Sequence, residues 1–281
     1  MLEGCLSEGT QLLKEANVPE PEISAEFLLG LVLKKKRVQL HLEREQHLTD
    51  LERKLFFLLL KKRAQRYPLQ YLLGTVSFRG HELHVGEGCL IPRPETELMV
   101  GAVLNRFGEN SGALHVLDIG TGSGNIAVSL ALERPDWQVT ATDFSEDALR
   151  FARINAEMNR VNQRIHFVHS DLFEGLDQKF DALVSNPPYL TARELGSLQK
   201  EVTFEPCMAL DGGEDGLLFY RRMIGSADQV LKPGGFIFFE TGIDQARTVS
   251  DELRANRFGS VEILKDYSGI DRIVSGVLVH G

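Results

Sequence analysis

Apolar residues recur at helical intervals from Leu2 to about Tyr67, as in Leu6, Leu12 and Leu13, or Phe27, Leu28 and Leu31. No strand-type alternation interrupts them, so this stretch predicts helices, separated where Pro19 and Pro21 break the pattern. Thr49-Asp50 offers an N-cap for a helix running to about Arg66. The texture then changes. Residues 75–78 and 82–85, joined across Arg79-Gly80, predict a β-hairpin, and a domain boundary falls there. From about Leu114 onward short apolar runs alternate with amphipathic ones. Strands are expected over 115–119, 138–142, 165–169, 182–185, 235–239, 261–264 and 273–279. Helices are expected over 125–133, 146–158, 216–230 and 245–255. Such alternation predicts an α/β domain with a mostly parallel sheet, helices on both faces, and ligands at the carboxyl ends of the strands.

Composition narrows the class. A chain of 281 residues with 43% hydrophobic and 25% charged residues is an ordinary globular protein, with room for one large domain and a smaller one. Cys5, Cys89 and Cys207 lie far apart, which speaks against a disulfide framework or a zinc site. Acidic residues near Met1 do not fit a signal peptide, and apolar runs such as residues 55–60 are too short to span a bilayer. A cytoplasmic protein without a membrane partner is expected. The net charge of -9 is uneven: residues 1–85 hold 13 Lys and Arg against 11 Asp and Glu, and the remainder holds 18 against 29. So acidic a body makes a poor general grip on nucleic acid, and no stable nucleic-acid partner is expected. The clusters Lys34-Lys35-Lys36-Arg37 and Lys61-Lys62-Arg63 with Arg66 read either as solvated helix ends or as a docking surface.

The chemistry gathers at four strand ends. The first ends in Asp118-Ile119-Gly120-Thr121-Gly122-Ser123-Gly124, where alternate glycines let the chain turn and a ligand approach closely. Asn125 stands where a dinucleotide fingerprint needs glycine, and the loop has no P-loop lysine, so pyrophosphate is disfavoured. The second strand ends in Asp143, whose two acceptor oxygens suit a ribose diol. After the third, Asp171 can accept from an adenine amino group while Leu172 lies on the ring. An adenosine without phosphates points to S-adenosyl-L-methionine, leaving S-adenosyl-L-homocysteine as product.

The fourth strand ends in Ser185-Asn186-Pro187-Pro188-Tyr189. An amide or aromatic-amine nitrogen is a poor nucleophile, because its lone pair is delocalised. Asn186 Oδ1 can accept one of its N–H groups and the Pro187 carbonyl the other, while prolines offer no competing donor. Tyr189 supplies a flat aromatic face. Asn186, Pro187 and Tyr189 are therefore the expected catalytic residues, with Pro188 beside them in the substrate site. Alignment should matter more than a strong base.

These residues carry a resemblance to the PrmC/HemK family, methyltransferases of the glutamine in the GGQ motif of peptide-chain release factors. Beyond the glycine loop and Asn186-Pro187-Pro188-Tyr189, its marks are Pro68-Leu69-Gln70-Tyr71-Leu72-Leu73-Gly74 and Leu90-Ile91-Pro92-Arg93-Pro94-Glu95-Thr96-Glu97. Further marks are Glu205-Pro206, Ala209-Leu210, Asp215-Gly216-Leu217, Leu231-Lys232-Pro233-Gly234-Gly235, Asp266 and Asp271-Arg272. The likeness implies a helical N-terminal domain, a hairpin linker, and a Rossmann-like seven-stranded methyltransferase domain whose last strand is antiparallel. The boundaries expected are 1–73 for a helical substrate-recognition domain, 74–90 for the linker and 91–281 for the methyltransferase domain. It further implies that Gly120, Thr121, Gly122, Ser123, Gly124, Asp143, Asp171, Leu172 and Asn186 hold the cofactor. Asn186, Pro187, Pro188 and Tyr189 would hold a glutamine that becomes N(5)-methylglutamine, in a release factor that is free or on or near the ribosome. Some members carry Trp where this chain has Leu172, which implies weaker stacking on adenine. The alternative is a nucleic-acid methyltransferase acting on an exocyclic amine, which presents the same planar group but lacks here a recognisable base-flipping or DNA-recognition domain.

Overall fold

Residues 1–109 and 112–279 are described in a computed structural model, and their contacts divide the chain into two compact units. The first comprises Met1–Thr75 with the segment Gln199–Phe204, and the second comprises Val76–Leu198 with Glu205–Gly281.

The first unit holds helices α1 (Leu2–Glu15), α2 (Pro21–Leu33), α3 (Arg37–Leu42), α4 (Asp50–Ala64) and α5 (Leu69–Leu73). Pro21 opens α2 at a position where a missing N–H costs nothing. A capping box starts α4: the Glu52 amide donates to Thr49 Oγ1 at 3.2 Å, and the Thr49 amide donates to Glu52 Oε2 at 2.7 Å. Leu2, Leu13, Leu28, Leu29, Phe56 and Leu60 are fully buried between the helices, and truncating one such leucine to alanine would cost about 2–5 kcal/mol. The second basic cluster separates into two kinds of residue. Lys61 and Lys62 are exposed, but Arg63 is buried and pairs with Glu201 at 3.0 Å, joined by Arg66 at 2.6 Å. Tyr67 also packs edge-on against Phe204, so the short Gln199–Phe204 segment is held by both charge and aromatic contact.

The second unit begins at Val76, within the hairpin of β1 (Thr75–Phe78) and β2 (His81–His84). Next come α6 (Thr96–Phe107), β3 (His115–Ile119), α7 (Asn125–Glu133), β4 (Gln138–Asp143), α8 (Glu146–Met158), β5 (Ile165–His169) and β6 (Phe180–Ser185). The chain then continues through α9 (Ala192–Leu195), α10 (Leu218–Ser226), β7 (Leu231–Glu240), α11 (Ala246–Ala255), β8 (Phe258–Lys265) and β9 (Asp271–Leu278). Its main sheet has seven strands in the order β5-β4-β3-β6-β7-β9-β8. The first five run parallel, and β9 is antiparallel to both neighbours. Side chains alternate between the two faces, as strands dictate. Val116, Ala182 and Val184 join a core with α6, α7 and the hairpin residues Phe78 and Leu83, whereas Leu117, Ile119 and Leu183 join one with α10 and α11.

Several expected elements differ in extent. The helix expected over 216–230 is α10 followed by a 3-10 turn at Ala227–Gln229, and the hairpin's second strand starts at His81. Helix α6 was not expected from the pattern. Met99, Val100, Val103 and Leu104 give it a buried face, but Pro92, Pro94 and the acidic Glu95 and Glu97 make its approach read as a connecting segment. The strand order reverses between β3 and β6, the place where an open parallel sheet leaves a crevice.

Candidate active site

A cavity of about 350 Å³ opens at that crevice, lined among others by Gly120, Gly122, Asp143, Asp171, Leu172, Asn186, Pro187 and Pro188. Eight of the expected site residues are thus brought together, from the ends of four strands. Thr121, Ser123, Gly124 and Tyr189 do not line it. Phe144, Met208, Phe219 and Arg222 do, and none of them was expected.

The glycine loop is shaped from beneath. Gly120, Gly122 and Gly124 have φ of 68°, 57° and 79°, the left-handed region that side chains disfavour. A Cβ on Gly120 or Gly122 would meet no atom within 4 Å, so open space lies over both. At Gly124 it would come within 3.1 Å of Ala152 Cβ, so that glycine serves the packing of α7 on α8. Asp118 Oδ2 accepts from Thr121 Oγ1 at 2.6 Å and from the Ala127 amide at 3.2 Å. Burial pushes the Asp118 carboxyl up to about 7. Thr121 and Ser123 face the protein rather than the cavity, and both are buried. Asn155, also buried, donates to the Ser123 and His84 carbonyls at 2.9 Å each and so ties the loop to the hairpin.

At the end of β4, Asp143 Oδ2 accepts from the Gly122 amide and Oδ1 from the Ser145 amide, each at 2.8 Å. Each carboxylate oxygen retains a further lone pair, one for each hydroxyl of a vicinal diol. Burial raises this carboxyl, opposed by backbone N–H groups of Ser145, Gly122 and Phe144. The next residue, Phe144, is exposed and also lines the cavity. Asp171 Oδ2 is engaged by Arg222 at 2.8 Å. Leu172 has φ of 56°, a strained conformation for leucine, held because the Thr142 hydroxyl donates to its carbonyl at 2.7 Å.

The fourth strand end is built from side chains. Ser185 Oγ donates to the Ile119 carbonyl at 2.8 Å and locks β6 to β3 just before Asn186. Asn186 Nδ2 donates to Thr96 Oγ1 at 3.2 Å, and both side chains stand beside the Glu240 carboxylate and favour its charged form. With its N–H groups turned that way, Asn186 keeps Oδ1 for a donor in the cavity. Tyr189 lies beyond the prolines, its ring edge 3.0 Å from the Cβ position of Gly242 and its carbonyl accepting from Gln245 Nε2 at 2.9 Å. Its backbone is wedged against Gly216, where any Cβ would approach the Tyr189 oxygen to 2.4 Å. Burial pushes its phenol up to about 12. Buried Glu205 accepts from the Ile91 amide at 2.9 Å and from Arg93 at 2.6 Å, which fixes the strap leading to Thr96. Glu205 and Thr96 stood among the family marks without an assigned role, and Glu240 gave no signal at the end of an apolar strand.

Residues 5–74 match the family described as PrmC N-terminal domain, and residues 96–204 match the Methyltransferase small domain. A release factor glutamine methyltransferase of Clostridium acetobutylicum is 39% identical over 280 residues, covering 98% of both chains. One of Geobacter sulfurreducens is 42% identical over 266 residues, covering 94% of this chain and 92% of its own. A crystal structure of a methyltransferase from Pyrococcus furiosus superposes with a TM-score of 0.54 at 20% identity, over 73% of this chain and 92% of that one, which speaks for the fold alone.

Proposed function

This chain belongs to the release factor glutamine methyltransferase family, and we propose that its crevice transfers a methyl group from S-adenosyl-L-methionine to the GGQ glutamine of a peptide-chain release factor. The observation that carries this reading is the convergence of the open glycine loop, Asp143 and Asn186-Pro187-Pro188 on one cavity. The fit of the cofactor rests on the space over Gly120 and Gly122, the lone pairs left on Asp143, and a lining in which, among the described residues, no lysine appears and Arg222 is already paired with Asp171. Gly120, Thr121, Gly122, Ser123 and Gly124 form the loop, Asp143 receives the ribose, and Asp171 and Leu172 flank the adenine. When bound, the cofactor supplies a methyl group on a sulfonium, already a good leaving group.

The protein's part is alignment. Asn186 Oδ1 accepts one N–H of the glutamine amide and the Pro187 carbonyl accepts the other. Held so, the nitrogen turns its lone pair toward the methyl group, forms the N–CH3 bond as the S–CH3 bond breaks, and then gives up one N–H proton to solvent, so that proximity supplies what a strong base need not. Tyr189 packs beyond the prolines against Gly242 rather than lining the cavity, and would serve by holding the turn that presents Pro187 and Pro188. Residues 1–73 recognise the intact release factor, a role supported by α4, where Leu51, Leu55 and Leu58 stand exposed at helical spacing. The setting is cytoplasmic, with the release factor free or near the ribosome. Among the described residues no helix is long and apolar enough to cross a membrane.

Labelled S-adenosyl-L-methionine offered in parallel with release factor, ribosomes, tRNA and DNA tests the assignment. Label on the GGQ peptide, read by mass spectrometry as N(5)-methylglutamine, is the expected result. Label in nucleic acid with the release factor untouched would establish the exocyclic-amine alternative instead.

A further inference from the structure

We propose that Thr96 and Glu240 form a directed hydrogen-bond relay that fixes the Asn186 amide with its oxygen toward the reacting nitrogen, which makes both of them positioning residues. The inference rests on the reading of Asn186 given above. An asparagine amide has two orientations related by a half-turn, and only one presents Oδ1 to a substrate N–H. Something must choose between them.

The choice is made by groups far from Asn186 in sequence. Glu240 ends β7 next to Asn186, because the parallel register pairs Ser185 with Phe239. Thr96 is the first residue of α6 and is 1% exposed, and Glu240 is 2% exposed. An ionised carboxylate can only accept. Thr96 Oγ1 accepts from Asn186 Nδ2 at 3.2 Å, which leaves its single proton free for the Glu240 carboxylate beside it. The relay runs one way, from amide N–H through hydroxyl to carboxylate. Reversing it would need a proton on Glu240, so that Glu240 donates to Thr96 and Thr96 donates to Asn186 Oδ1.

Two observations set this apart from ordinary packing. Glu240 Oε2 is buried with no partner among the described residues, a cost that stability alone would not favour. The groups around Glu240 also leave it poised rather than firmly charged. Glu95 ahead of α6 repels its charge, while Arg272 on β9, itself paired with Asp266, attracts it. Tyr189 and Tyr220 are neutral neighbours, and the Tyr220 hydroxyl donates to the Glu240 main-chain oxygen at 2.7 Å. Burial, the largest influence, pushes the carboxyl up to about 7. Turnover is therefore expected to fall as pH drops through neutrality, when Glu240 takes up a proton and the relay can reverse.

The test uses the full chain, a release factor substrate, steady-state kcat and KM, and S-adenosyl-L-homocysteine affinity by calorimetry. Thr96→Val should lower kcat by about 10–100-fold, less than the roughly 10²–10³-fold expected for loss of the oriented acceptor itself, with KM and cofactor affinity little changed. Thr96→Ser should restore most of the turnover. Glu240→Gln brings its own N–H donors, so kcat should fall and the acid limb near neutral pH should vanish. Asp118, the other carboxyl raised to about 7, lies under the glycine loop and would show in cofactor affinity rather than in kcat. Wild-type turnover in Thr96→Val, equal losses in the valine and serine variants, or an acid limb that survives Glu240→Gln would each overturn the relay. A wild-type enzyme that methylates only nucleic acid would defeat the glutamine reading separately, and the same variants would then judge the relay on that substrate.

Discussion

At the β3–β4 end of the crevice the cavity is lined by glycine-loop backbone at Gly120 and Gly122 together with Asp143, braced by the inward-facing Asp118, Thr121 and Asn155. At the β6–β7 end they are the side chain of Asn186 and the turns of Pro187 and Pro188, braced by Thr96 and Glu240. The first end holds a shape. The second end holds an orientation, and its value appears when a bond is being made. Substitutions should therefore separate cleanly: affinity for the cofactor from one end, turnover from the other.

The largest expected effect is at Asn186. Asn186→Ala should cut turnover by roughly 10²–10³-fold, as removal of one oriented acceptor from a transition state does, while S-adenosyl-L-homocysteine affinity falls far less. Asn186→Asp keeps an acceptor oxygen and should retain part of the activity. If cofactor affinity collapsed in step with rate, the contrast between the two ends would be lost.

Asp143→Ala comes next and should act in the opposite sense. Losing a charged acceptor costs roughly 1.5–3 kcal/mol, so calorimetry should show affinity for S-adenosyl-L-homocysteine about 10–100-fold weaker. Because Asp143 also receives the Gly122 and Ser145 amides, Asp143→Asn should lose less than alanine. An unchanged affinity would remove Asp143 from the cofactor side.

The two ends were not equally legible in the sequence. The glycine loop and Asp143 announce themselves because each strand and its ligand-facing end are contiguous, and the period of the apolar residues locates the end. Asn186 and its prolines were readable for the same reason. Their support was not. Thr96 lies on a helix hidden behind Pro92 and Pro94, and Glu240 closes the apolar run Phe236, Ile237, Phe238, Phe239. No local pattern links them, because strand order rather than sequence brings β7 beside β6. Asp171 shows a further limit. The acid expected to accept from an adenine amino group lines the cavity but is also engaged by Arg222, a partner from α10 that no local pattern reveals.

Within the loop itself, Gly122→Ala and Gly124→Ala should part company. Both force a left-handed alanine, at about 1–2 kcal/mol. At Gly124 the new Cβ also presses on Ala152 at 3.1 Å, so the thermal midpoint should fall further there than for Gly122→Ala. At Gly122 the Cβ enters open space beside the cavity, so cofactor affinity should fall more than stability does. Equal losses of affinity in the two variants would mean that the loop responds as one rigid piece.

The smallest effect belongs to the rim, where Arg222 and Asp171 are paired at 2.8 Å and both remain more than a third exposed. Exposed pairs of this kind contribute about 0–1 kcal/mol, so Arg222→Ala should leave the thermal midpoint nearly unchanged. Its effect on binding carries the information. If Asp171 accepts the adenine amino group, Arg222 competes for the same carboxylate, and removing it should leave affinity for S-adenosyl-L-homocysteine unchanged or slightly tighter. Asp171→Ala should weaken it by about 1 kcal/mol, the ordinary net worth of one hydrogen bond. Opposite signs from two partners in one ion pair would mark Asp171 as a ligand contact. Equal and parallel losses would instead make the pair a strut for the β5 loop, and the adenine would then be held by Phe144, Leu172 and the loop backbone without a carboxylate.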